Sequence, residues 1–428
     1  MPVSENLATG FFVDSVLCWQ LSKEWYNKAC KGGSRKPMNL QTFDISNPFR
    51  HRRHINTYLR FCRQVYARHP QQRDLTTAML KDLLSGRAVI CSSSWLKPLM
   101  VINDEQQVVA ACLLAVVDRL PRLMQITFFE ALPQQEAAVA LLIQAAREAA
   151  LTRSATAISV GLNLHVNYGL GLLASHFDTP QSFGSAYNPP EYLSYFAPYG
   201  GHEMKLVSYL THMPSFDFSA GRRLMERLPQ SFHVRPARFH KLTEEAALYT
   251  QLNNAAFGRH AFYYPRRQAE DLELFRSFRH FLRPENLLFA YQGATPVGFM
   301  LWYPDFNQLI PPGEGPGLKA LVKNRLMGHQ INRFKIVELG VIPAFQKTGA
   351  VLSLFDACHR LTKDRFEWCE AGWILSDNRA STGFGRRWAH EAYKEYRVYL
   401  LPVQTTGNTG EGMVSADDLL LSAYPPCP

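Results

Sequence analysis

Between residues 333 and 360 the chain gathers several groups with chemical potential. Glu338 stands inside the apolar run Ile336-Val337-Glu338-Leu339; Pro343 follows, then Gln346-Lys347-Thr348-Gly349-Ala350-Val351 ahead of an amphipathic run. An apolar strand that ends at a proline and passes through a glycine-containing turn straight into a helix points consecutive free N–H groups at one spot. The positive end of the helix suits that spot to phosphate; Gly349 allows close backbone approach and Lys347 adds charge. An ordinary β–α connection has the same outline, so spacing alone leaves both readings open. Glu338 also has two readings. A strand carboxylate can take the proton an amine nucleophile must lose near pH 7. Alternatively it is a glutamate on a solvated strand face, because burying one without a partner is costly.

The elements that must position these groups follow from periodicity. Residues 49–71 carry Ile55, Tyr58, Leu59, Cys62, Val65 and Tyr66 at helical spacing. A short helix is expected over 74–84, then strands over 88–91, 97–103, 107–117 and 123–129. Pro133 opens an alanine-rich helix through Leu151. A strand over 157–164, a helix near 168–175 and a strand over 203–212 close the first half. The second half repeats the order. It has a strand at 232–237, helices at 243–256 and 267–281, and strands at 287–291 and 297–302. A strand at 335–341, a helix at 349–364, a strand at 368–375, a short helix at 378–386 and a strand at 396–403 complete it. This predicts an N-terminal extension over 1–40, a domain over 41–212, a linker over 213–227, a second domain over 228–403 and a tail over 404–428.

With 428 residues, 46% hydrophobic and 19% charged, the chain has enough apolar material for a real core. No apolar run is long enough for a membrane span, and Met1 to Gly10 offers no basic region ahead of an apolar stretch, so a cytoplasmic protein is expected. Eight cysteines are scattered without a CxxC pair, and no histidine cluster has zinc spacing, so reduced cysteines and no metal are expected. The net charge is +10, and the first 70 residues hold eleven Lys and Arg against four Asp and Glu. That excess suits either a solvated basic surface or an anionic partner: a phosphorylated cofactor, an acidic carrier protein or RNA.

The segment Gly340-Val-Ile-Pro-Ala-Phe-Gln346-Lys-Thr-Gly349-Ala350 resembles the donor-binding motif of the GNAT (GCN5-related) N-acyltransferase superfamily, Gln/Arg-x-x-Gly-x-Gly/Ala. Gln346, Gly349 and Val351 occupy its three positions, with Val351 in place of a small residue unless Ala350 takes that role. The resemblance implies an α/β (α+β) architecture of tandem GNAT folds, each a mixed, mostly antiparallel twisted sheet flanked by helices. It implies that the amides around Gln346–Val351 hold the pyrophosphate of an acyl donor, and that a strand N–H near Val341 polarises the thioester carbonyl. Trp373-Ile-Leu-Ser-Asp-Asn378 is similar to the next family strand and helix, with Asn378 near the pantetheine arm. Tyr393-Lys-Glu-Tyr396-Arg-Val-Tyr399-Leu-Leu-Pro402 resembles the closing strand, where Tyr396, or else Tyr399, acts as acid toward the leaving thiolate.

The first half resembles degenerate GNAT-like units of large bacterial proteins. Phe128-Phe-Glu130-Ala-Leu-Pro133 stands at the motif position without the Gln/Arg-x-x-Gly turn. Asn163, Asn167 and Tyr168 either shape an acceptor pocket or satisfy turns, as asparagines commonly do. The expected activity is transfer of an acyl group from acyl-CoA or acyl carrier protein to an amine of a small molecule or amino acid, as in N-acyl amino acid synthases. The donor is a co-substrate, with no permanently bound cofactor, and neither DNA nor a membrane span is involved. Two alternatives stay open: an aminoacyl-tRNA-dependent amide-forming transferase of the same fold, supported by the Arg-rich stretches, and a non-catalytic acyl-ligand or partner-binding protein.

Overall fold

The computed structural model describes residues 38–403 except 200, 230, 259–261 and 390, and leaves aside the side chains of 379, 380, 384, 387 and 388. The expected tail over 404–428, and all of the expected extension before residue 38, lie outside the described residues. The strands are β1 (Asn39–Thr42), β2 (Ser94–Ile102), β3 (Val108–Val117), β4 (Leu123–Ala131), β5 (Ala157–Val160), β6 (Leu172–Leu173) and β7 (His202–His212). The second half adds β8 (His233–Pro236), β9 (Leu287–Gln292), β10 (Thr295–Pro304), β11 (Arg333–Val341), β12 (Trp368–Leu375) and β13 (Glu391–Pro402). The helices are α1 (Arg52–Val65), α2 (Thr77–Leu84), α3 (Glu136–Thr152), α4 (Tyr192–Phe196) and α5 (Ser219–Glu226). After them come α6 (Leu242–Phe257), α7 (Gln268–Phe278), α8 (Leu318–Met327), α9 (Ala350–Thr362) and α10 (Arg379–Trp388).

β3 reads VVAACLLAVV and every one of its residues is buried, the signature of a strand covered on both faces. α1 buries Ile55, Tyr58, Leu59, Cys62 and Val65 in the same core, so its apolar stripe seats it on the sheet. In the second half Trp302, Phe334, Leu354 and Phe366 form the matching core around β10, β11 and α9.

All strands join one mixed sheet in the order β1-β2-β3-β4-β5-β13-β7-β12-β11-β10-β9-β8, with β6 beside β13. The two halves are therefore interleaved. β13, the last strand, lies between β5 and β7, and β7 pairs with β12. Two parallel pairs break the otherwise antiparallel order. β4 runs beside β5 only from Leu123 to Ile126, and β11 beside β12 only from Arg333 to Ile336. Beyond those residues each pair splays, and each first strand carries a register irregularity nearby, at Ala111/Leu113 opposite β4 and at Leu301/Trp302 opposite β11.

Several local expectations change. Residues 89–93 form a 3-10 turn rather than a strand, because the apolar run Val89-Ile90-Cys91 is short and buries Ile90 from a turn. Residues 166–168 form another 3-10 turn, and the two-residue β6 replaces the helix expected near 168–175, where Gly169 and Gly171 adopt positive φ. The segment expected as a linker, 213–227, carries α5, whose Arg222 pairs with Asp356 of α9.

Candidate functional site

β11 delivers the chain into the turn that the sequence singles out. Pro343–Phe345 make one 3-10 turn, Lys347 takes φ 63° and Gly349 takes φ 106° at the N-cap of α9. A Cβ on Gly349 would meet only the tip of Leu228, which can shift, so it is the left-handed conformation that requires glycine there. Two side chains brace the turn: Gln346 Nε2 donates to Val341 O at 3.2 Å, and Thr348 Oγ1 donates to Phe345 O at 2.6 Å. Among the described residues no backbone carbonyl accepts from the amides of residues 347–352, whereas Ser353 N donates to Gly349 O. Those amides converge on the positive end of a 13-residue helix, the arrangement that binds phosphate. Gln346 and Lys347 are exposed at its rim, Ala350 is buried beneath it and Val351 packs into the core. Val341 itself pairs with Gly298. Asn378 is the N-cap of α10, where its side-chain oxygen accepts from Ser381 N at 3.2 Å.

Glu338 lies past the β11 irregularity, where the strand has parted from β12, and its side chain retains 14% exposure. It accepts hydrogen bonds from Tyr249 Oη and, at 2.9 Å, from Asn253 Nδ2, both on α6. Arg266 stands 3.9 Å away, and its guanidinium also pairs with Asp271 at 3.2 Å and covers the Tyr249 ring at 5.0 Å. Burial lifts the Asp271 carboxyl to about 6 although Arg266 opposes the rise, and burial pushes the Tyr249 phenol well above its ordinary range. The solvated-face reading of Glu338 gives way to a partnered, half-buried carboxylate at the mouth of a splayed strand pair.

Tyr396 and Tyr399 sit on β13, deep between the halves. The Tyr396 phenol is 2% exposed; burial pushes it well above the ordinary range, with Glu370 adding to the rise. Tyr399 turns away, donating to Leu193 O at 3.4 Å and packing against Phe196. Around Tyr396 lies a polar network that the sequence did not reveal. Lys335 donates to Ser185, Ser182 donates to Glu370, Lys394 donates to Pro180 O at 2.8 Å, and Asp305 accepts from Phe183 N at 2.8 Å. Burial alone would raise Glu370, but Lys335 and Lys394 outweigh it and hold the carboxyl below its ordinary value. These residues come from β11, β12, β13, the end of β10 and the 180–185 loop of the first half, so only the interleaved sheet assembles them.

In the first half Asn163 Oδ1 accepts from Phe128 N at 2.8 Å, tying the loop after β5 across the gap beside β4. Tyr264, from the second half, donates to Leu164 O at 3.1 Å in the same place. Asn167 N donates to His165 Nδ1 at 3.2 Å, and Tyr168 is buried at 6% exposure. Of the three residues expected in an acceptor pocket, Asn163 braces this loop through its side chain, and neither of the two clefts described below includes any of the three. Glu130 of β4 is the group the sequence left unassigned. It accepts from Tyr66 at 2.9 Å and Tyr192 at 2.7 Å, and its enclosed carboxyl is pushed by burial to about 8.

Two clefts of ≈ 320 Å³ open nearby. One lies at the end of α1, lined by Cys62, Arg63, Tyr66, His69 and Asp74 with Pro312 and Gly313 opposite. The other lies between β7, β13 and α10, lined by Val207, Tyr209, Ser376, Arg386 and Glu395. Among the described residues no cluster of His, Cys, Asp or Glu could hold a metal ion.

The comparison with solved structures bears on this arrangement directly. A GCN5-related glucosamine N-acetyltransferase region of a fungal multi-domain β-N-acetylglucosaminidase superposes over 86% of this chain with a TM-score of 0.51 at 12% identity. The match spans 38% of that longer chain. This is a GNAT fold. A tandem GNAT protein from the clavulanic acid biosynthesis pathway superposes over 87% of this chain and all of its own, with a TM-score of 0.49 at 13% identity. In sequence, the chain is 24% identical over 280 residues to a bacterial ceramide synthase of Caulobacter vibrioides (strain NA1000 / CB15N), covering 60% of this chain and 70% of that one. No family model matches. β11, the turn and α9 run consecutively in the second half, as β4 and α3 do in the first.

Proposed function

We propose that this chain is an N-acyltransferase that moves an acyl group from an acyl thioester, on coenzyme A or an acyl carrier protein, to the amine of a long-chain amino alcohol. The observation that carries the reading is the run of free amides from Lys347 to Leu352, set by left-handed Gly349 at the head of α9 and opening beside the splayed β11. Both thioester donors present phosphates next to a pantetheine arm, and this cradle fits phosphate. The sequence relation to a bacterial ceramide synthase supports an amino alcohol as acceptor.

In the proposed reaction the amine nitrogen attacks the thioester carbonyl carbon. The C–N bond forms, the C–S bond breaks, and the thiolate leaves. Glu338 takes the amine proton, held in place by Tyr249 and Asn253. Tyr396 supplies a proton to the thiolate from its phenol. The test is direct amide formation. The purified chain is incubated with palmitoyl-CoA, or palmitoylated carrier protein, and a long-chain 2-amino alcohol, and the product is read by mass spectrometry. Amide with either donor is the expected result. No amide with either donor, or amide only from aminoacyl-tRNA, would overturn the reading.

A further inference from the structure

Of the eight large apolar side chains that stand exposed among the described residues, four lie on α8: Leu318, Val322, Leu326 and Met327. Leu318 is 77% exposed and Leu326 71%, far more than a packed helix leaves open. Leu318, Val322 and Leu326 recur every four residues and so share one face. The opposite side of α8 is anchored, with Ala320 buried and Leu321 packed on the core beside Phe306 and Ile310. Its outward face therefore stands open among the described residues.

Charge decides what covers it. No Asp or Glu occurs between Glu314 and Glu338, while Lys319, Lys323 and Arg325 lie within the helix and are exposed. A second copy of this chain, meeting the first across the same face, would bring like charges together. An apolar stripe flanked by cations matches the interface of an anionic bilayer, where leucines enter the acyl boundary and lysines meet headgroups. No described helix is long and apolar enough to cross a membrane, so this would be docking at the surface.

We infer that α8 docks the protein on anionic lipid. This rests on the proposed amino-alcohol acceptor only for its purpose, since such an amine resides in a membrane. The segment leading into α8 supplies Pro312 and Gly313 to the wall of the cleft at the end of α1, and Gly313 N donates to Gln72 O at 3.2 Å. Lipid docking at α8 sets that cleft close to the bilayer.

The experiment is flotation of the full chain with phosphatidylcholine vesicles, with and without phosphatidylglycerol, comparing wild type with L318S/V322S/L326S and with K319A/K323A. These substitutions are on exposed positions, and circular dichroism with thermal melting checks the fold. Wild type should float with the anionic vesicles and less so as salt rises. The serine variant should lose binding by about tenfold or more and the alanine variant should lose its salt dependence. Turnover of a short-chain, water-soluble amine should be unchanged in both variants, and turnover of a vesicle-borne amine should fall. The inference is overturned if the serine variant floats like wild type, if the substitutions change the mass in light scattering instead, or if they weaken capture of an acyl carrier protein and leave flotation intact. Flotation needs no turnover, so failure of the proposed reaction and failure of lipid docking are read separately.

Discussion

Glu338 receives hydrogen bonds from Tyr249 and Asn253 and stands 3.9 Å from Arg266, so it enters any proton transfer already oriented. Glu338→Gln keeps the volume and removes the base; kcat for amide formation should fall roughly 10²–10⁴-fold with KM for the donor little changed, as read by steady-state kinetics. Tyr396→Phe is expected to lower kcat and keep donor KM, while a purely packing role would move only Tm. Glu130 makes a prediction about pH. Its folded carboxyl titrates at about 8, above the ordinary glutamate value, so between those values the folded protein holds a proton the unfolded chain has lost. Stability from this group is full below the ordinary value and is lost as pH rises through about 8, by at most about 1.4 kcal/mol per pH unit. Glu130→Gln should therefore flatten the decline of Tm across that window, which a pH series of thermal melts will show.

The strand β11, the turn and the helix α9 act as one unit. Gly349 sets its geometry, since a side chain there would strain a φ of 106°. Gly349→Ala should weaken coenzyme A binding in calorimetry far more than it lowers Tm. α10 depends instead on Asn378 as its cap, so Asn378→Ala should cost about 1 kcal/mol of stability in denaturant melts. A role for Asn378 beside the donor would add a rise in donor KM to that loss.

Across the whole molecule, β13 and β7 cross between the halves, and the network of Lys335, Glu370, Lys394 and Asp305 is sealed at that crossing. Removing the Glu370 charge leaves two buried lysines without it. Glu370→Gln should destabilise the chain by about 3–5 kcal/mol in urea titrations, and Lys335→Met in the same background should recover part of it. Much was legible before any fold was known. The all-apolar β3, the stripe on α1 and the glycine-bearing turn before α9 are local patterns, set by periods of two and 3.6 and by the φ that only glycine takes easily. The GNAT-like order of elements followed from them, and the strand Glu338 could be singled out as a carboxylate in an apolar run. Which residues meet across the sheet was beyond such patterns. Glu338 finds its partners 85 and 89 residues away, Ser182 reaches Glu370 over 188, and the last strand seats itself inside the first half. Strand order, and hence whether Asn163 shapes a pocket or braces a loop, is decided by long-range pairing energies that no single segment encodes. The sequence by itself determined the glycine-bearing strand, turn and helix; the tertiary structure decided what stands beside them.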